Sequence, residues 1–353
     1  MKRVKIAGKL IGEGKPCFII AEAGVNHNGD VSLAKNLIEV AKEAGADAVK
    51  FQTFRTGEVV TKNAAKAEYQ KETTGVEESQ FEMLKASELT ESDFKELFTY
   101  AQEKGIILIS SPFDRDSIDL LDILGVPAYK IASGEITNFP LLKHAAGKGK
   151  PIILSTGMSV TEEIGEALKV IKKTGVESII LLHCVTNYPA KIEDMNLKVM
   201  ETLESTFKLP VGLSDHTPGI TIPIAAAALG ACVIEKHFTM DKKLHGPDHR
   251  ASLEPGELGQ MVRAIRDVEK ALGDGVKRLT AEEEEIKKVA RRSIVAKVDI
   301  PEGAIIVEAM LDVRRPGTGI EPKYMEKVCG AKAKNYIKKE ESISWAEIGL
   351  SIE

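Results

Sequence analysis

Two histidines, two lysines and a set of hydroxyls and carboxylates carry the chemistry of this 353-residue chain, and they sit at the ends of short apolar runs. His216 closes the run Val211–His216, and His237 stands at the end of Cys232–Phe238. Imidazole is the commonest ligand for first-row divalent metals, so a pair at matched depth on successive runs reads as a metal site. The alternative is two hydrogen-bonded core histidines. Two ligands leave coordination positions open, which marks a catalytic rather than a structural metal. Lys50 and Lys130 lie inside apolar runs that contain no carboxylate. A buried ammonium needs a partner, so the pair points to an anionic ligand bearing carboxylate and phosphate. Ser111, Ser133, Ser155 and Ser214, with backbone amides near Gly134 and Gly157, could hydrogen-bond such an anion. Two other readings stay open: a lysine that forms a Schiff base, or structural ion pairs with Glu22 or Glu235. Glu22, Glu135, Glu235 and Asp248 are candidate metal ligands, proton carriers or acceptors for a substrate hydroxyl. His183 and Cys184 read as core-facing or supporting residues, because no sequence feature activates the thiol. The segment HGPDHRASLEP, 245–255, has a Gly-Pro-Asp turn that could present Asp248 and His249 to a ligand.

The elements that must hold these residues alternate regularly. Apolar runs at Phe18–Ala23, Ala48–Phe54, Ile107–Phe113, Ala128–Ser133, Pro151–Thr156, Ser178–Cys184, Val211–His216 and Cys232–Phe238 are each followed by a segment with helical spacing. Leu33, Leu37, Val40 and Ala41 share one helical face, as do Ile164, Ala167, Leu168 and Ile171. Gly45, Gly105, Gly125, Gly175 and Gly230 stop the helices shortly before the next strand. Nearly continuous apolar strands are those of a parallel sheet covered by helices. Eight strand–helix units in about 255 residues predict a (β/α)8 TIM barrel, with a doubly wound open sheet as the runner-up. A barrel places its site at the C-terminal strand ends, and every run ends in polar groups there. One connection, 55–89, is too long for a simple loop and reads as a lid or binding loop, or as a solvated excursion with one short helix around Gln80–Leu84. The division expected is a barrel over 1–277, a charged helical linker over 278–290 and a small β-rich domain over 291–353.

Composition narrows the partners. A net charge of −5, with basic and acidic residues interspersed, gives no nucleic-acid footprint. The N-terminal stretch lacks the apolar segment of a signal peptide, and no stretch of 18 apolar residues suggests a membrane span. Four scattered cysteines without a CxxC pair read as reduced thiols in a cytoplasmic protein.

Several segments together resemble the sialic acid synthase family: IIAEAGVNHNGD, GADAVKFQTF, KIASGEITNFPLL, PIILSTGM, LLHCVTNYP, VGLSDHT, VIEKHFT and GPDHRASLEP. RRSIVAKVDIPEGAII and RRPGTGI resemble that family's antifreeze-like SAF domain, of β-clip type. The resemblance implies an enzyme that condenses phosphoenolpyruvate with N-acetylmannosamine and water, giving N-acetylneuraminate and phosphate. The alternative is 2,4-diacetamido-2,4,6-trideoxymannose as acceptor, giving N,N′-diacetyllegionaminate. It further implies a divalent metal, commonly manganese with magnesium or cobalt as options, on His216 and His237. Phosphoenolpyruvate would be held by Lys50, Ser111, Lys130, Ser133, Ser155 and Ser214, and the sugar by Gln52, Glu135, Tyr188 and Asp248. Glu22 would act beside the metal. The resemblance also implies a homodimer in which the SAF domain caps the partner's barrel and Arg315 meets the N-acyl group. Val185-Thr186-Asn187 departs from the step many relatives carry, so no ligand contact is carried over to Thr186 or Asn187. Outside this reading stand an aldose-phosphate synthase, a Schiff-base aldolase and a non-catalytic binding protein.

Overall fold

The computed structural model describes residues 3–75 and 78–350, and the chain divides into two compact units, Met1–Gly273 and Asp274–Glu353. The first opens with a short antiparallel hairpin, β1 (Val4–Ile6) and β2 (Lys9–Ile11), which the sequence pattern did not disclose. Eight parallel strands follow: β3 (Phe18–Gly24), β4 (Ala48–Thr53), β5 (Ile107–Pro112), β6 (Tyr129–Ile131), β7 (Ile152–Ser155), β8 (Ile179–Cys184), β9 (Val211–Asp215) and β10 (Val233–His237). Their order is β5-β4-β3-β10-β9-β8-β7-β6, and β5 and β6 lie side by side, so the sheet forms a nearly closed TIM-like barrel.

Helices cover the outside. Helix 161–172 buries Ile164, Ala167, Leu168 and Ile171, as its spacing predicts. Helix 31–43 buries Ala34, Leu37, Ile38 and Ala41 instead, with Leu33 and Val40 at the margin of the stripe. Both sets fit a 3.6-residue period, and the sheet selects the one that offers four contiguous side chains to the strands. Asp30 caps this helix by accepting from the Ser32 and Leu33 amides, and Thr90 forms a capping box at the start of helix 91–104. The long connection carries three short helices, 56–59, 68–74 and 80–87, where one was expected. The connection 55–89 includes positions 76 and 77, which lie outside the described residues.

Inside the barrel, side chains alternate with the pleat and change character along each strand. Phe18 and Ile20 precede Glu22, Ala48 precedes Lys50, Ile109 precedes Ser111, Ala128 precedes Lys130, and Ile153 precedes Ser155. Ile180 and Leu182 precede Cys184, and Val233 precedes Glu235. The lower residues form a separate apolar cluster with Val4, Ile6 and Ile11, so the hairpin stoppers the N-terminal end of the barrel. The polar upper residues are left to the C-terminal end.

The second unit starts with the charged helix Ala281–Ala290, capped by Thr280. The antiparallel pair β11 (Ser293–Ala296) and β12 (Leu311–Arg314) follows, with isolated bridges and short turns. Its own core holds Ile294, Ile300, Ile306, Ile320, Val328, Ile337 and Ile343 among others. Among the described residues no helix is long and apolar enough to cross a membrane.

Candidate active site

The inward faces of β3, β4 and β10 meet at the charged centre of the barrel. Their registers place Glu22 beside Lys50 and beside His237. The Lys50 ammonium lies 2.7 Å from Glu22 and 3.9 Å from Glu235, and donates to Ser111 Oγ at 3.0 Å. Lys130 lies 3.4 Å from Glu235, which accepts from Ser214 Oγ at 2.9 Å. Both lysines therefore have carboxylate partners. These are the ion pairs with Glu22 and Glu235 that the sequence left open, and the carboxylates come from β3 and β10 rather than from the lysines' own strands.

Burial acts on these groups unequally. Glu22 is pushed from 4.5 up to about 7 by burial and by the charge of Glu235, against the pull of Lys50. Glu235 is also raised by burial, but Lys130 and Lys50 together outweigh that and leave it below its usual value. Burial lowers Lys130 below its usual range, whereas Glu22 and Glu235 overcome burial at Lys50 and raise it.

Hydroxyls ring this centre. Ser133 Oγ accepts from the Gly157 amide at 3.0 Å, and Ser155 Oγ is buried with no hydrogen-bond partner among the described residues. A buried orphan hydroxyl is a group waiting for a ligand. Gly157 has to be glycine: a Cβ there would stand 2.0 Å from Thr186 Oγ1 and 2.8 Å from Ser133 Oγ. Of the two readings offered for Cys184, core-facing or supporting, the structure takes the second. The thiol points inward with the other upper residues, 3.9 Å from His216 Nδ1, and Ser133 and Lys130 help His216 lower its pKa against burial.

His216 and His237 are brought together with ring centres 5.4 Å apart. His216 Nδ1 is engaged with the Val185 carbonyl at 2.8 Å, which leaves Nε2 for a ligand. His237 Nδ1 is buried without a hydrogen-bond partner, and Asp248 stands 3.9 Å from it. Burial and the surrounding positive groups push His237 well below 6.5, keeping it a neutral donor. Among the described residues no three His, Cys, Asp or Glu side chains form a ready-made metal cage. The two free imidazole nitrogens nonetheless fit a divalent cation that keeps open positions for a ligand.

The remaining predicted residues lie around this pair or away from it. Tyr188 packs on His216 at 4.1 Å and meets His237 edge-on at 5.7 Å. Asp248 is buried, which raises it from 3.8 to about 6 against the pull of His216 and Lys50. Gln52 follows Lys50 on the inward face of β4, and a Cβ on Gly24 would lie 3.5 Å from its amide nitrogen and 3.4 Å from the His237 ring. Glu135 lies in the turn after β6, half-buried, accepting from Asn138 at 2.7 Å. Arg315 belongs to the second unit, where it is exposed after β12.

Some polar strand-end residues face the helices instead, as a two-residue period requires. Asp215 and Lys236 form a fully buried ion pair at 2.5 Å, and Ser110 pairs with Thr53 at 2.7 Å. His249 is an anchor rather than a ligand contact, bonded to Thr239 at 2.6 Å and Asn28 at 3.2 Å. Asn26 ties the same loop down through Phe238 O and Ser252. Sequence reasoning named Glu235 both as an acidic candidate and as an ion-pair partner, and the structure shows it beside both lysines; it missed one residue of the site. Tyr69, stacked on Tyr188 at 5.1 Å, comes from the long connection, where no periodicity points to it.

The NeuB family model matches residues 37–277, and the SAF domain model matches 291–349. The chain belongs to the NeuB family. This member is 50% identical over 331 residues to the N,N′-diacetyllegionaminic acid synthase of Campylobacter jejuni, covering 93% of this chain and 99% of that one. It is 49% identical to the enzyme of the same name from Legionella pneumophila, covering 98% of each chain. A crystal structure of N-acetylneuraminic acid synthetase from Leptospira borgpetersenii superposes with a TM-score of 0.72 at 38% identity, covering 81% of this chain and 95% of that one. NeuB membership accounts for the (β/α)8 barrel followed by a SAF domain and makes this chain an enzyme of the sialic acid synthase kind.

Proposed function

We propose that this NeuB-family chain condenses phosphoenolpyruvate with 2,4-diacetamido-2,4,6-trideoxymannose and water, releasing N,N′-diacetyllegionaminate and phosphate. The sugar rests on the comparisons: the two diacetyllegionaminic acid synthases stand near 50% identity, against 38% for the N-acetylneuraminic acid synthetase. They favour this acceptor over N-acetylmannosamine, the first expectation from the sequence. The reaction class rests on one observation, the pair of buried lysines ringed by Ser111, Ser133, Ser155 and Ser214 beneath two histidines.

In this reading Lys50 and Lys130 hold the carboxylate and phosphate of phosphoenolpyruvate, with the serine hydroxyls fixing its orientation. The C3 carbon of phosphoenolpyruvate bonds to the aldehyde carbon of the open-chain sugar, whose oxygen gains a proton. Water adds to C2, the C2–O bond to phosphate breaks to leave the ketone, and the two protons of that water go one to the sugar oxygen and one to the departing phosphate. Glu22, titrating near neutrality, is suited to carry one of these protons. Fixed ammonium groups stabilise the phosphate as it departs, without reorganisation. A divalent cation on His216 and His237, manganese by resemblance with magnesium or cobalt as options, would supply Lewis-acid polarisation of the aldehyde oxygen. Gln52, Glu135, Tyr188 and Asp248 are assigned to the sugar. Arg315 is proposed to meet its N-acyl group across a homodimer, which sedimentation would check.

The test is phosphate release from phosphoenolpyruvate with manganese and either sugar, beside chelated controls. We expect metal-dependent phosphate, faster with the diacetamido sugar. Faster release with N-acetylmannosamine would replace the substrate. No phosphate with either sugar would overturn the reaction class and turn attention to borohydride trapping of a lysine.

A further inference from the structure

We propose that Tyr69 is a specificity-determining residue that covers the substituted end of the acceptor sugar, away from its aldehyde. This deepens the proposed function and rests on it. Tyr69 sits on helix 68–74 of the long connection after β4. Its ring stacks on Tyr188 with centres 5.1 Å apart and planes 25° apart. Tyr188 in turn packs on His216 at 4.1 Å, so two rings lead from the connection to the histidine pair. Burial raises the Tyr69 hydroxyl above its usual range, and the charge of Asp248 adds to that.

The helix carrying Tyr69 is anchored from beneath. The Lys66 side chain is buried, donates to Thr74 Oγ1 at 2.8 Å and Gly75 O at 3.0 Å, and pairs with Glu78 at 2.9 Å. Gln70 links the Ala67 amide, at 3.0 Å, to the Tyr69 hydroxyl, at 3.3 Å. Tyr69 is therefore held in position by its own segment.

The reacting end of the sugar belongs at the lysines and histidines, where the surroundings are charged or hydroxylic. The two tyrosines are the aromatic wall. Tyr188 touches both imidazoles and so faces the reacting end, which leaves Tyr69 farther along the molecule. The proposed acceptor differs from N-acetylmannosamine in carrying a C6 methyl and a C4 acetamido group where the other has hydroxyls. Both additions present apolar surface that an aromatic face favours and that hydroxyls lack.

Tyr69→Ala and Tyr69→Phe, assayed in the full chain with both sugars, test this assignment. Covering two methyl groups is worth roughly fifteen-fold, about four-fold each. We expect Tyr69→Ala to lower kcat/KM for the diacetamido sugar by about that factor and for N-acetylmannosamine much less, with the KM for phosphoenolpyruvate unchanged. Tyr69→Phe should keep most of the discrimination. An equal loss with both sugars, or a loss confined to phosphoenolpyruvate, would overturn the assignment while wild-type sugar preference still upholds the proposed function. If wild type prefers N-acetylmannosamine, the substrate proposal fails on its own, and a sugar ratio unmoved by Tyr69→Ala then sinks Tyr69 as well. No reaction with either sugar overturns both.

Discussion

Glu22 and Glu235 face the same two lysines, yet one titrates near neutrality and the other stays ionised. The difference lies in spacing: Glu235 has both ammonium groups within 4 Å and Ser214 besides, while Glu22 has Lys50. Two like groups with separated pKa values can divide roles, one holding charge and one moving a proton. Lys130→Met should weaken phosphoenolpyruvate binding by about 100-fold, the order expected for losing one buried charge-assisted contact. Isothermal titration would read it, and an unchanged affinity would remove Lys130 from the anion site. His27 makes a different prediction. Burial lowers it from 6.5 to about 4. As pH falls through that window the unfolded chain takes up a proton that the folded chain refuses, so its stability contribution is present above 6.5 and lost toward 4. His27→Asn should narrow the acid loss of unfolding free energy by on the order of 2–3 kcal/mol, measured by urea titration at several pH values. The residues themselves were largely legible in the sequence, because inward parity on an apolar strand singles out a lysine or glutamate. Ion pairs with Glu22 or Glu235 were one open reading, but which lysine meets which carboxylate was not legible, since it depends on ring closure placing β10 beside β3.

At the scale of elements, each barrel strand divides into an apolar lower half and a polar upper half on one face, and a helix-covered other face. The Asp215–Lys236 pair belongs to that other face, and it joins β9 to β10 directly behind the two histidines. Lys236→Met would leave Asp215 buried without its counter-charge, at a cost of about 3–5 kcal/mol, whereas replacing both partners with apolar residues should recover much of it. Chemical denaturation of the single and double variants checks this, and a neutral single variant would show that Asp215 finds another donor. Strands and helices were readable because periods of two and 3.6 run through them, and the eight apolar runs became the eight barrel strands. The hairpin and the helices of the long connection were not. The hairpin strands have three residues each, too few to show a period, and the helices 56–59 and 68–74 are fixed by local contacts such as those of Lys66.

The whole molecule consists of two units with separate cores, and every residue assigned to phosphoenolpyruvate lies in the first. A chain ended after Gly273 should fold, shown by a cooperative thermal transition, and bind phosphoenolpyruvate with an affinity close to that of the full chain. Its KM for the sugar should rise, since Arg315 is removed. A loss of phosphoenolpyruvate binding in this folded fragment would mean that the SAF domain helps build the anion site. The hairpin packed under the barrel has a consequence for traffic. With its base stoppered among the described residues, the barrel opens at the strand ends that carry the site, so in the proposed reaction both reactants enter and both products leave on that side. Arrivals and departures then compete for the same passage. If the proposed reaction holds, the released phosphate leaves by the way the larger product takes, and accumulated phosphate should slow turnover by occupying the place of the next phosphoenolpyruvate.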